Sequence, residues 1–267
     1  MKGTDLERIT RINLKTCFPE LTAQELSVKV RESLTNLCLM FFEISQIKYW
    51  DYERLKQGVS TNNESVLIDA AQNPSGVLLI VPHLGNWEFM AAYLGVNYRL
   101  AALYDPPKFS SLEKVIVDTR ERYSGEMFPI DVGGLRNVIK WLRSGGLLAV
   151  LPDQVPDRNA GVYAEFFGQP ALTMNLVHQL VSRTHPEVIL AWVRRKFEDL
   201  ESGDDYGYEL NFSKLDLAAS GEDQIATATA VNQAIEDAVR QAPEQYQWEY
   251  KRFKRPPEWG GSIYRRQ

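Results

Sequence analysis

The chain has 267 residues, 44% hydrophobic and 24% charged, with a net charge of −5 at pH 7. That balance suits one large α/β core, and it excludes the basic surface and high pI that mark nucleic-acid-binding domains. Two cysteines without close spacing and three scattered histidines speak against a disulfide framework or a metal centre; Cys17 and Cys38 read as buried, reduced thiols.

In chain order, residues 22–50 read as a helix. Thr22 and Glu25 form a capping box, and Leu26, Val30, Leu34 and Leu37 recur at helical spacing. Its second half, Cys38–Phe42, is apolar nearly all round, which implies deep burial or contact with lipid. Residues 34–50 come nearest to a membrane span, but Glu43 and Lys48 interrupt them, and spanning takes about 20 mostly apolar residues. With no apolar signal region at the N-terminus, the expectation is a soluble or peripheral protein.

After a polar break at Thr61–Glu64 the chain alternates strands and helices. Strands are expected at Gly76–Val81, Leu100–Tyr104, Met127–Ile130, Leu147–Leu151, Val188–Val193 and Tyr208–Phe212. Helices are expected at Asn86–Val96, Leu112–Tyr123, Leu135–Arg143, Thr173–Arg183 and Gln224–Arg240. Short continuous apolar runs such as Val77–Val81 are strands covered on both faces. The alternation predicts an α/β fold with a largely parallel sheet. Residues 152–170, with three prolines and two glycines, read as a long functional loop. The whole, 1–267, is expected to be one domain: an N-terminal helix at 22–50, a core at 76–212, a C-terminal helix at 224–241 and a basic aromatic tail at 243–267.

The chemistry concentrates in Val81–Glu88, where a buried strand gives way to a helix, since open α/β sheets build sites at the carboxyl ends of strands. His83 and Glu88 are five apart, with Gly85 allowing a tight turn. Glu88 falls in the first helical turn, where the dipole favours negative charge. A carboxylate there suits the task of accepting the Nδ1 proton of His83, leaving Nε2 to take a proton from a substrate hydroxyl. Backbone amides around Gly85 and Asn86 are candidates for an oxyanion site. By spacing alone a His and a Glu five apart are unremarkable. His178 and His185 have no carboxylate at close helical spacing and read as structural.

Four ordered segments carry a resemblance: His83-Leu84-Gly85-Asn86-Trp87-Glu88, Leu151-Pro152-Asp153-Gln154, Phe166–Thr173 (FFGQPALT) and Ala242–Pro257 (APEQYQWEYKRFKRPP), joined by Arg11–Glu20 (RINLKTCFPE). Together they resemble the late acyltransferases of lipid A biosynthesis, the lauroyl/myristoyl family, related to glycerolipid acyltransferases with an H-x4-D box; here the box is H-x4-E. The resemblance implies a glycerolipid-acyltransferase-like fold and an acyl carrier protein thioester as donor. It implies a hydroxyl of a lipid A precursor as acceptor, no cofactor, and a place at the cytoplasmic face of the inner membrane. His83 carries over as general base and Glu88 as its partner. Arg120 and Arg122, in a match to the family's R-x-R-x-x-G stretch, carry over as substrate ligands, with an exposed charged helix as the alternative. Asp153 and Gln154 are expected to bind substrate, Asp153 alternatively capping a loop. Phe166–Gly168 and Pro170–Thr173 either shape an acyl pocket or belong to the core.

The family's apolar N-terminal segment is not evident before Arg11. A second means of reaching a bilayer is the tail, where Lys251, Arg252, Lys254, Arg255, Arg265 and Arg266 interleave with Trp248, Tyr250, Phe253, Trp259 and Tyr264. Basic and aromatic residues favour the membrane interface; the alternative is a tail folded back on the domain. Other lipid acceptors, a thioesterase and a non-catalytic lipid-binding protein are the competing readings.

Overall fold

The structure, a computed structural model, describes residues 3–47, 49–104, 122–123, 125–197, 206–217, 223–258 and 261–265. Two helices lead, α1 (Asp5–Cys17) and α2 (Ala23–Ile47), followed by α3 (Tyr52–Lys56), β1 (Val59–Asn62) and α4 (Glu64–Ala70). Then come β2 (Val77–Ile80), α5 (Trp87–Asn97), β3 (Leu100–Tyr104), β4 (Glu126–Pro129), α6 (Val132–Arg143) and β5 (Leu147–Val150). A hairpin of β6 (Gly161–Phe166) and β7 (Gln169–Met174) precedes α7 (Leu176–Thr184), β8 (Glu187–Phe197), β9 (Tyr206–Lys214) and α8 (Gln224–Gln241). The expected helix at 112–123 lies almost entirely outside the described residues.

Seven strands form one sheet in the order β1-β9-β8-β2-β5-β3-β4, parallel throughout except where β9 runs antiparallel to β8. The α/β, mostly parallel architecture expected from the alternation is what the chain adopts. Burial explains the continuous apolar runs. Leu78, Ile80, Leu148, Val150, Val188 and Leu190 belong to one hydrophobic core, whereas Val77, Leu79, Leu147, Ala149, Ile189 and Ala191 belong to another. Successive side chains on a strand point to opposite faces, so a strand packed on both sides has no polar position left. The first core takes α1, most of α2, α6, α7 and α8; the second takes α3, α4, α5 and the end of α2 at Ile47.

Two differences from expectation have plain causes, and a third concerns a cysteine. The stretch 152–170 contains β6 and the start of β7, joined by a two-residue turn in which Phe167 (φ 50°) and Gly168 (φ 69°) are both left-handed. Such turns match the twist of a hairpin but favour Asn-Gly, and Phe at the first position hid the signal. Short polar β1 pairs with β9, 149 residues downstream (Val59↔Tyr208), a contact invisible to local periodicity. Cys38 is exposed on α2, while Cys17 is buried. Among the described residues no helix is long and apolar enough to cross a membrane.

Candidate active site

Sheet register builds the centre of the site. β2 and β5 are parallel neighbours with Ile80 opposite Val150, and Val81 N–H extends the pairing to the Val150 carbonyl at 2.9 Å. Three residues beyond each strand end, His83 and Asp153 meet. The imidazole Nδ1 lies 2.7 Å from Asp153 Oδ1 and the backbone N–H of His83 donates to Oδ2 at 2.8 Å. A carboxylate only accepts, so Nδ1 holds a ring proton, and in the neutral imidazole Nε2 is the acceptor. Asp153 is buried. Burial pushes its carboxyl up, but the His83 charge and the two His83 hydrogen bonds, helped by Arg252, hold it below the usual aspartate range. It is therefore ionised at neutral pH.

Nε2 of His83 faces the Gln154 carboxamide at 3.1 Å, whose nitrogen also reaches Gln247 Oε1 at 3.1 Å. Gln247 belongs to a C-terminal strap that pairs with the His83 turn. Its N–H donates to the His83 carbonyl at 3.1 Å, Leu84 bridges to Tyr246, and Gly85 N–H donates to the Gln245 carbonyl at 3.0 Å. Gln245 anchors the strap to β8, accepting from Arg195 N–H at 2.8 Å and donating to the Arg195 carbonyl at 3.1 Å. Beside it the buried Arg252 donates to the Leu172 carbonyl and Thr173 Oγ1, both at 2.7 Å. Glu249, two residues past Gln247, has its carboxyl raised by burial, with its backbone bonding, Gln247 and the His83 charge opposing.

Several expected roles shift. The hydrogen bond to Nδ1 expected of Glu88 is made by Asp153, because Glu88 sits in the first turn of α5 and lines the cavity instead. Gly85 N–H is spent on Gln245 rather than facing substrate. The Asn86 side chain is fully buried: its Oδ1 caps α5 at Phe89 N (2.9 Å), and its nitrogen donates to Glu43 (2.7 Å) and Tyr208 (3.2 Å). Arg120 lies outside the described residues. Arg122 is exposed, 6.0 Å from the Tyr123 ring centroid, and does not line the cavity. The tail folds back: Trp248, Arg252, Phe253 and Tyr264 are buried, so they are withheld from any bilayer, while Trp259 and Arg266 fall outside the described residues. Phe166 and Phe167 pack in the core, Phe166 against Tyr246 and Phe253 and Phe167 against Phe18 and Trp248, and neither lines the cavity. His178 bonds Thr227 at 3.1 Å and His185 is the left-handed C-cap of α7.

Gly85 has a strict steric reason. Its φ is +66°, and a Cβ there would overlap the Val193 carbonyl. Gly85→Ala should therefore destabilise the protein by about 3 kcal/mol or more, in the range that strained backbone sites reach, as read by denaturant unfolding. A loss under about 0.5 kcal/mol, the scale of an ordinary surface change, would show that the turn is not so confined.

A cavity of about 820 Å³ opens beside His83, Trp87 and Gln154, within the size range of small-molecule sites. It runs between α5 and the sheet, past Ile44 and Ile47 of α2, to Leu94 and Leu100. Leu100 begins β3, so the cavity reaches roughly 13 Å below the strand ends at about 3.3 Å per residue. Ala92, Ala102 and Ala149 line it; side chains this small leave the α5–sheet space unfilled. An oriented imidazole at the head of a deep apolar slot is the equipment of an enzyme that moves acyl groups.

A family profile of the bacterial lipid A biosynthesis acyltransferases matches residues 2–255. The lipid A biosynthesis palmitoleoyltransferase of Escherichia coli K12 is 27% identical over 259 residues, covering 97% of this chain and 82% of the relative. The lauroyltransferase of the same strain is 24% identical over 257 residues, covering 96% and 82%. A lipid A biosynthesis acyltransferase of Haemophilus influenzae is 27% identical over 259 residues, covering 96% and 80%. This chain belongs to the bacterial lipid A biosynthesis acyltransferase family and is an O-acyltransferase.

Proposed function

We propose that the protein transfers a fatty acyl chain from an acyl carrier protein thioester to a hydroxyl of a lipid A precursor, with His83 as general base. The observation that carries this is the Asp153–His83 pair at the mouth of the apolar cavity. Asp153 holds the ring in the tautomer whose Nε2 accepts. The acceptor hydroxyl displaces the Gln154 carboxamide, gives its proton to Nε2, and its oxygen attacks the thioester carbonyl. As the tetrahedral intermediate collapses, the C–S bond breaks and the imidazolium returns the proton to the departing thiolate. Products are the ester and the free thiol. General-base help of this kind contributes roughly 10²–10⁴ in rate.

The acyl chain lies in the slot between α5 and the sheet. The acyl carrier as donor and a site of action at the cytoplasmic face of the inner membrane rest on the ordered sequence motifs. Phe41 (70% exposed), Phe42 (63%) and Tyr49 (74%) stand on or just past the helix whose Ile44 and Ile47 line the cavity, a placement suited to a bilayer surface.

The test is mass spectrometry of products from purified protein, an acyl carrier thioester and a lipid A precursor. The acceptor should gain one acyl chain, and Ala102→Phe should shift the preference to shorter chains. Thioester cleavage at the same rate with and without acceptor would mean a thioesterase instead.

A further inference from the structure

The cavity has two chemically different walls. The wall from α2, α5 and β3 is largely apolar. The wall from the segment after β5 and the β7–α7 junction carries four carboxamides, Gln154, Asn159, Asn175 and Gln179. Gln154 is accounted for at the His83 ring; the other three have no role in the steps above.

Asn175 occupies the N-cap position of α7, yet its side chain makes no capping hydrogen bond, although asparagine is among the best residues for that task. Its Oδ1 instead accepts from Gln179 Nε2 at 3.0 Å, one turn along the helix. That bond sets two carboxamides side by side and leaves Asn175 Nδ2 as a donor and Gln179 Oε1 as an acceptor. Asn175 N–H donates to the Ala160 carbonyl at 3.1 Å, fixing the pair beside Asn159. Among the described residues no arginine or lysine lines the cavity, whereas Glu88, Glu126 and Asp157 do. Phosphate recognition draws on arginine and lysine, so this wall is chemically wrong for a phosphate. Neutral groups that both donate and accept suit hydroxyl and amide groups.

We propose that Asn175, Gln179 and Asn159 form the acceptor subsite, binding the uncharged hydroxyl and amide groups of the acceptor's sugar and presenting one hydroxyl to His83 Nε2. This rests on the acyl-transfer reading above. The phosphates of the acceptor stay outside this wall.

Steady-state kinetics of Asn175→Ala and Gln179→Ala test it, with a lauroyl carrier thioester as donor and a lipid A precursor as acceptor, intact or stripped of its phosphates. The acceptor KM should rise about tenfold in each variant, the equivalent of one good hydrogen bond, and by the same factor on both acceptors. The donor KM should stay within about twofold, since uniform loss of acceptor binding does not touch the other substrate. Because the two side chains are bonded, their effects should be less than additive in the double variant. Gln179→Met, which keeps the length and apolar stem, guards against a folding defect and should behave like Gln179→Ala. An unchanged acceptor KM, a parallel rise in donor KM, or an effect confined to the phosphorylated acceptor overturns the proposal. Failure of the acyl-transfer reading shows separately, as a wild-type enzyme that leaves the acceptor unmodified.

Discussion

Asp153→Asn should lower kcat about 10⁴-fold, the scale on which the orienting acid of a catalytic triad acts, and His83→Ala should lower it at least as far. The reason is geometric. Asp153 takes both the ring N–H and the backbone N–H of His83, so an amide in its place turns one acceptor into a donor and favours the wrong tautomer. Glu88→Gln should cost less, on the order of 10² as for a group that assists proton transfer or contacts substrate, since Glu88 lines the cavity without holding Nδ1. The pair also predicts a pH signature. A carboxyl whose folded pKa is depressed binds fewer protons in the native state, so it contributes stability above the ordinary aspartate value of about 3.9. That contribution is lost as pH falls through the lower, folded value. The difference in Tm between wild type and Asp153→Asn, read by calorimetry, should hold from pH 8 to 5 and shrink below about pH 4. If Asp153→Asn keeps most of its turnover while Glu88→Gln loses it, the orienting carboxylate is Glu88 after all.

Glu43→Ala should destabilise the fold by about 3–5 kcal/mol, the cost of stranding a buried partner. For a chain of this size that is on the order of 10 °C in Tm. Glu43 takes Arg195 through two bonds, Nε at 2.8 Å and Nη2 at 2.7 Å, and the two side chains are only 5% and 1% exposed. Removing the carboxylate leaves a guanidinium in the interior with Asn36 at 3.4 Å as its remaining side-chain hydrogen-bond partner among the described residues. The effect reaches the site, because Glu43 also holds Asn86, the cap of the helix that carries Trp87 and Glu88. The double variant Glu43→Leu/Arg195→Met should regain most of the loss, as apolar replacements of buried ion pairs do. Thermal unfolding checks both; a single-variant loss under about 1 kcal/mol would place the pair in the weak class of exposed bridges.

Much of the fold was legible. The two-sided apolar runs of β2, β3 and β5 and the T-x-x-E box before α2 are local signals, each set by a few adjacent residues. Thr22 Oγ1 and the Glu25 carboxylate do close that box, at 3.3 and 2.8 Å. The helix after His83 was legible as well, since Asn86 caps it from within the same motif. The strap was legible only as part of the Ala242–Pro257 segment, within what read as a basic aromatic tail. Its partner, the His83 turn 160 residues earlier, left no mark there.

Local sequence marks the strands covered on both faces and the helix caps, because burial and capping are written in neighbouring side chains. Which carboxylate meets His83 is a matter of three-dimensional packing. Glu88 is near in the chain, but its helix carries it to the cavity wall. Asp153 is 70 residues away, and parallel pairing of β2 with β5 brings it to the same height. Strand partnership and register are settled by how whole faces pack, and no short stretch of sequence contains them.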